Sequence, residues 1–453
     1  MIPDSAVNRA DERRVLVIAY YFPPMGLSGV QRTAKFVKYL PEFGWQPTVL
    51  TCKPRGYFAY DESLLAEIED SGVAVHRTAS WDPTRLFGSR TVVRFPDEST
   101  RRAFSRLSQL LFVPDNKLGW WRPARKKGLE LLQGGAYDLI FASAPPYTSL
   151  LVAAGLSKTT GVPLVLDFRD DWVGNPRHSY PTPVHRGLSA RMERRVLERG
   201  DRSVVINDVI RRNLTARNPD AGFLEDVVVI PQGYDPDDLE VDPCIPGLDP
   251  DPSTFTMLYS GVFYDAQSPE PFMRALSDVL TRRTELKSSV KAVFVGLLSE
   301  SAKKLAGELG ISDVIHHTGY LSHPEAVACL RAADVLWMTV GRTEGADTIS
   351  TSKLYEYFGA RKPVLGLVPL GAARTALHRY GAATIADPEA ISEISAGIEQ
   401  LYGMWSEGRL PEPDRAYVEQ FDRRRLTRRL ARLFDGVVGQ RITPRQPTRQ
   451  DAG

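Results

Sequence analysis

Short runs of valine, isoleucine and leucine recur along this chain with helical segments between them, and the whole pattern occurs twice. The first run, Val15-Leu16-Val17-Ile18-Ala19, suits a strand buried on both faces. A turn follows in Phe22-Pro23-Pro24-Met25-Gly26-Leu27-Ser28-Gly29. Beyond it Val30, Ala34 and Val37 recur at helical spacing beside Phe36 and Leu40, and Gly44 and Pro47 end that helix before Thr48-Val49-Leu50-Thr51. A strand, a helix and a second strand in this order form a βαβ unit, which pairs its strands in parallel. The alternation continues through Asp138-Leu139-Ile140-Phe141, Val162 to Leu166 ending at Asp167, Ser203 to Ile206 and Val227 to Ile230. The first half is therefore expected to be a doubly wound α/β domain.

A chain of 453 residues exceeds one ordinary hydrophobic core, so two domains are expected. The stretch DLEVDPCIPGLDPDPS, residues 238–253, is rich in Asp and Pro without periodicity and marks a linker. Strand-like runs resume at 255–259, 292–295, 335–338 and 363–368, alternating with helical segments at 271–282 and 324–333. The expected organisation is a first domain over 1–237, the linker, a second domain over 254–434 and a disordered polar tail over 435–453. Residues 81–127 break the alternation and read as an Arg-rich, aromatic insertion. It is either a helical excursion packed on the domain or a surface lying on the cytoplasmic leaflet of a membrane.

Charge narrows the function. With 57 Lys and Arg against 55 Asp and Glu the net charge is +2, too balanced to point to nucleic acid. Cys52, Cys244 and Cys329 form neither a CxxC pattern nor a disulfide framework, so a reducing cytoplasm is expected. No apolar run is long enough to span a bilayer, and the polar first residues lack a signal peptide's apolar core. His316, His317 and His323 fall in no metal-ligand spacing, and no metal or other cofactor is expected. Neither a GxSxG elbow nor a Walker A loop is present.

Four segments carry candidate chemistry. The richest runs from Glu344 to Pro363, leaving a buried strand and opening a helix whose free N–H groups and dipole favour a phosphate. Ser350, Thr351 and Ser352 suit capping that turn or donating to phosphate oxygens, and Lys353 adds a positive charge. Glu356 shares a helix face with Lys353, and its carboxylate suits a pair of ribose hydroxyls. The plain alternative is a capped surface helix with a solvated Lys–Glu pair. The second segment is the Gly26 to Gly29 turn, where glycines permit close backbone approach to a ligand but do not spell GxGxxG. In the third, Asp167-Phe168-Arg169-Asp170-Asp171, a buried strand delivers charges at its carboxyl end. Arg169 there suits a phosphate or carboxylate, with Asp167 or Asp170 holding it or binding a sugar hydroxyl. The fourth is Tyr259-Ser260-Gly261-Val262-Phe263, where Gly261 lets the chain turn beneath a diphosphate.

At VLVIAYYFPPMGLSGVQR, VLDFRDDW, VVVIPQGYD, LYSGVFYDAQSPEPFMRAL and above all TISTSKLYEYFGARKPVLG the chain resembles retaining glycosyltransferases of the GT-B fold, family 4-like, including bacterial enzymes of polysaccharide and glycolipid assembly. The resemblance implies two Rossmann-like doubly wound domains facing each other across a cleft. It implies donor binding by Gly261, Phe263, Ser350, Thr351, Ser352, Lys353 and Glu356, and an acceptor-side loop of Gly26, Ser28, Gly29 and Asp170. Arg169, Lys353 and Glu344 are the implied catalytic residues. The partners would be a nucleotide sugar and a saccharide, lipid-linked or small-molecule acceptor, with peripheral contact at the inner face of the membrane. Two departures stand out. The family's Glu eight positions before the ribose-binding Glu is Thr348 here, and Phe263 to Gln267 lacks the cations that often follow the glycine, leaving phosphate charge to Lys353, the helix terminus, Arg342 or Arg169. A GT-B-shaped epimerase and a non-catalytic nucleotide-sugar-binding protein are the other expectations for such a chain.

Overall fold

The computed structural model describes residues 12–26, 28–55, 60–82, 108–176, 178, 180–219, 227–263 and 267–442. Seven strands form the first sheet: β1 (Arg13–Ile18), β2 (Trp45–Cys52), β3 (Ala74–Thr78), β4 (Leu139–Ala144), β5 (Leu164–Phe168), β6 (Arg202–Val205) and β7 (Val227–Val229). Six form the second: β8 (Phe255–Ser260), β9 (Val290–Val295), β10 (Ile315–Gly319), β11 (Val335–Thr339), β12 (Val364–Leu367) and β13 (Ala383–Ala386). Every pair is parallel, and the orders are β3-β2-β1-β4-β5-β6-β7 and β10-β9-β8-β11-β12-β13. In both sheets the strand order thus reverses once, between β1 and β4 and between β8 and β11. In open α/β sheets such switch points leave crevices at the strands' carboxyl ends. The two Rossmann-like domains expected from the alternation are present.

The central strands are apolar on both faces because helices cover both faces. Leu16 and Ile18 pack with Leu150, Leu156 and Trp172 on one side, and Val15 and Val17 with Phe36, Trp45 and Phe141 on the other. Three strands that the apolar runs do not reveal, β3, β10 and β13, all lie at sheet edges and are only partly buried.

Two further expectations need correction. The helix Arg423–Ile442 does not belong to the second domain, and residues 435–442 are not a disordered tail. Leu426, Leu430, Phe434 and Val437 are buried against Val15, Val17, Trp45 and Phe141 of the first sheet. Phe434 meets Trp45 at 5.2 Å and Phe141 at 5.4 Å, and Trp45 Nε1 donates to Asp435 at 3.0 Å. Residues 443–453 lie outside the described residues. The chain therefore crosses between the domains twice, and the crossings run side by side. Tyr234 N donates to Phe421 O at 3.0 Å, and Arg423 N donates to Tyr234 O at 2.9 Å. The insertion is described only in part, since residues 83–107 lie outside the described residues. At its carboxyl end Trp120 is fully buried and donates from Nε1 to Thr78 Oγ1 at 2.8 Å, which supports packing on the domain there.

Because Phe434 is fully buried, Phe434→Ala should lose about 3–5 kcal/mol of stability. Denaturant unfolding followed by Trp45 fluorescence measures this, and a loss well under 1 kcal/mol would deny the last helix its place in the first core.

Candidate functional site

A cleft of about 170 Å³ opens where the two switch points face each other. The second domain contributes Ser260 and Gly261 after β8, Gly296 after β9, Thr339 at the end of β11, and the start of the helix Ser352–Ala360. The first domain contributes Gly26, Gln31 and Asp61. Tyr357 sets the position of the Ser352–Ala360 helix. Its buried hydroxyl accepts from Ser260 N at 3.0 Å and donates to Trp337 O at 3.2 Å, tying the helix to the end of β8 and the middle of β11. The helix N-terminus is thereby held at the cleft, where its free N–H groups suit an anion.

Lys353 is the charge at that terminus. Its ammonium lies 3.6 Å from the centroid of the Tyr259 ring. Phe263 stacks on the same ring at 4.1 Å, so the ammonium takes the opposite face. Burial draws the Lys353 pKa down to about 7, and Glu356, one turn along the helix, opposes that shift only in part. A Cβ on Gly261 would sit 2.9 Å from Lys353 Nζ, and the residue holds φ at +126°, so only glycine lets backbone and ammonium lie this close. Thr351 Oγ1 is buried without a hydrogen-bond partner among the described residues, beside Ser352 and Lys353. Such a group costs free energy unless something in the cleft bonds it.

The structure thus brings Gly26, Gly261, Thr351, Ser352, Lys353 and Glu356 to one cleft. Other expected site residues do different work. The Ser350 hydroxyl is paired with Tyr355 at 2.7 Å, and Phe263 packs into the core rather than lining the cleft. Glu344 is exposed and outside the lining, while Thr348 is buried and donates to Gly345 O at 2.7 Å. Arg342 is exposed and paired with Asp387, so it is not a spare cation for phosphate. Asp167 is fully buried, holds Arg32 and accepts from Ser143, and it acts on Arg169 through its charge. Arg169 donates to the carbonyls of Ala144 and Pro145 and turns Nη1 toward Gly29, whose Cβ would lie 3.2 Å from it. Neither Arg169, Asp170 nor Gly29 lines this cleft, and the Ser28 side chain lies outside what the structure describes.

Reasoning from sequence missed Asp61, Gln31, Tyr320 and His323. His323 opens the helix His323–Ala332 and spans the domains, its Nε2 2.9 Å from Asp238 and its Nδ1 3.1 Å from Gln31 Nε2. Burial disfavours the imidazolium, but the Asp238 bond and charge outweigh it and raise the pKa. Glu67, Asp235 and Asp238 bring carboxylate oxygens within 4.8 Å of one another, as a metal site would. Lys35 occupies the centre, bonding each at 2.7, 2.6 and 2.7 Å.

Two facing Rossmann-like domains with a helix N-terminus and its lysine in the intervening cleft define a class, the two-domain doubly wound α/β proteins. Within it, residues 29–233 match the glycosyl transferase 4-like domain and residues 247–412 match the glycosyl transferases of group 1. No curated protein matches the chain by sequence. Among solved structures it is similar to a glycosyltransferase from Rickettsia africae, at 12% identity and TM-score 0.62 over 94% of this chain and 99% of that one. Anabaena HepE in complex with UDP and glucose aligns at 15% identity and TM-score 0.61, over 94% and 100%. Sucrose-phosphate synthase from Thermosynechococcus elongatus aligns at 12% and 0.63, over 94% and 100%. The chain belongs to the group 1, 4-like glycosyltransferases and has the GT-B fold.

The Lys353 ammonium should titrate near pH 7 in the ligand-free protein. NMR of the reductively ¹³C-methylated chain, assigned with Lys353→Met, reads it, and a titration in the ordinary lysine range near 10.5 would contradict the enclosed site.

Proposed function

We propose that this glycosyltransferase moves a sugar from a nucleoside-diphosphate sugar to an acceptor hydroxyl, with retention, in polysaccharide, glycolipid or related glycoconjugate synthesis. The observation that carries the reading is Lys353, enclosed at a helix N-terminus against the Gly261 turn, with Glu356 one turn further along. A diphosphate seated there meets the helix N–H groups, the Thr351 hydroxyl and the Lys353 ammonium, while Glu356 accepts from the ribose hydroxyls. HepE's complexes with UDP and with UDP-glucose support a uridine donor.

The chemistry is electrostatic. As the glycosidic carbon–oxygen bond breaks, negative charge grows on the departing diphosphate, and donors already in place stabilise it without reorganising. The acceptor oxygen forms the new bond on the face the leaving group vacates, and its proton passes to a phosphate oxygen of that group. In this reading no metal ion takes part, and activity should survive a chelator.

The membrane remains a partner in this proposal. No helix among the described residues is long and apolar enough to cross a bilayer. Trp81 and Leu111, at 75% and 66% exposure, flank the undescribed stretch of the insertion and support peripheral contact. Trp81→Ala with Leu111→Ser should lower co-sedimentation with anionic phospholipid vesicles, and unchanged co-sedimentation removes that contact.

Calorimetry with UDP, GDP, dTDP and ADP should show one nucleotide bound selectively, and Glu356→Ala should weaken it about tenfold. A diphosphate raises the pKa of a lysine it touches, so binding should take up a proton above pH 7 and weaken as pH rises through the free Lys353 value of about 7. Comparing buffers of different ionisation heat at pH 8 measures that uptake. Binding of none of the four nucleotides would overturn the donor site.

A further inference from the structure

The cleft wall facing Lys353 belongs to the first domain and carries polar atoms that a nucleoside diphosphate leaves unused. Asp61 precedes the helix Glu62–Asp70 and is only 6% exposed. Every hydrogen bond it accepts goes to one oxygen: Ser63 N at 3.0 Å, Ser63 Oγ at 2.5 Å and Leu64 N at 3.3 Å all reach Oδ1. Oδ2 has no partner among the described residues. Across the cleft Tyr320 follows β10, is half-exposed, and likewise holds a hydroxyl without a partner among the described residues. The two meet over Gly26. A Cβ there would lie 2.8 Å from Tyr320 Oη and 3.0 Å from Asp61 Cβ, so glycine leaves the space that brings them to one corner.

The chemistry of that corner is specific. Asp61 and Glu356 are the carboxylates among the described residues lining the cleft, and they sit on opposite domains. A hydrogen bond to a carboxylate is stronger than one between neutral groups, so a ligand donor reaching Oδ2 gains more than one reaching a neutral acceptor. A phosphate offers no donor and would be repelled. A sugar hydroxyl donates and accepts at once, matching a free carboxylate oxygen beside a free phenol. We propose that Asp61 Oδ2 and Tyr320 Oη form a sugar-hydroxyl subsite that spans the cleft beside Gly26, which rests on the donor-site reading above. The hydroxyl belongs either to the donor's sugar or to a saccharide acceptor.

Two variants test this without removing the fold. Asp61→Asn keeps an Oδ1 acceptor for the helix cap, since Asn caps as well as Asp, but replaces the free oxygen by an amide donor. Tyr320→Phe removes the hydroxyl alone. The probes are UDP, GDP, UDP-glucose, GDP-mannose, and free glucose or mannose added to the nucleotide-saturated protein, all by calorimetry. Both variants should bind bare nucleotide as the wild type does and lose roughly five- to tenfold in sugar affinity, the loss expected for one hydrogen bond to a charged or polar group. Loss with the nucleotide sugars assigns the corner to the donor; loss with the free sugars assigns it to the acceptor. Sugar affinities unchanged in both variants, an equal loss for bare nucleotide, or a wild type that draws no added affinity from any sugar would overturn the subsite. A wild type that binds no nucleotide would overturn the donor reading instead, and is seen before any variant is made.

Discussion

The arrangement of the two domains depends on the charged face of one helix, Ser28–Tyr39. Arg32 is fully buried and reaches Asp167 on β5 at 2.8 Å, Ile230 O at 2.9 Å and Pro231 O at 2.7 Å. One turn on, Lys35 meets Glu67 and the interdomain carboxylates Asp235 and Asp238. Burial works against the Lys35 charge, yet those three carboxylates hold its pKa above the ordinary value. Buried charges are tolerable only when paired this completely, and a buried pair stripped of one partner typically costs about 3–5 kcal/mol. The first crossing is therefore bonded to the first domain through side chains, while backbone bonds at Tyr234 join it to the second crossing.

That joint faces the carboxyl ends of the sheets toward each other. Asp238 continues to His323, and His323 to Gln31, so the chain of contacts returns to the helix it started from while passing through the cleft wall. Lys353 owes its lowered pKa to burial in the same cleft. In an open site its ammonium would hold its proton far above neutrality; between Tyr259, Gly261 and the helix start it sits near pH 7, poised to be charged by an arriving anion.

The parts of the fold visible in the sequence are those where one physical demand acts alone. Central strands such as Leu139–Ala144 and Val335–Thr339 are covered on both faces, so the runs are continuously apolar and readable. The edge strands Ala74–Thr78, Ile315–Gly319 and Ala383–Ala386 are half-buried and carry His, Arg or Thr, and no run betrays them. Lys353, Glu356 and Gly261 were legible because strand end, helix start and glycine turn are local patterns. Asp61 reads locally as a helix cap, and its second oxygen acquires meaning only from Tyr320, more than two hundred residues away.

By itself, then, the sequence determined two doubly wound domains and the helix that opens with Lys353 at a strand's end, because periodicity, capping and turn chemistry are set by neighbours in the chain. Only the tertiary structure decided that Arg32 takes Asp167, that Arg342 is spent on Asp387 and that Ser350 turns to Tyr355. It alone showed that the helix Arg423–Ile442 returns to complete the first core. Each of these depends on which partner lies within about 3 Å, a distance that hydrogen bonding and ion pairing require and that spacing along the chain does not encode.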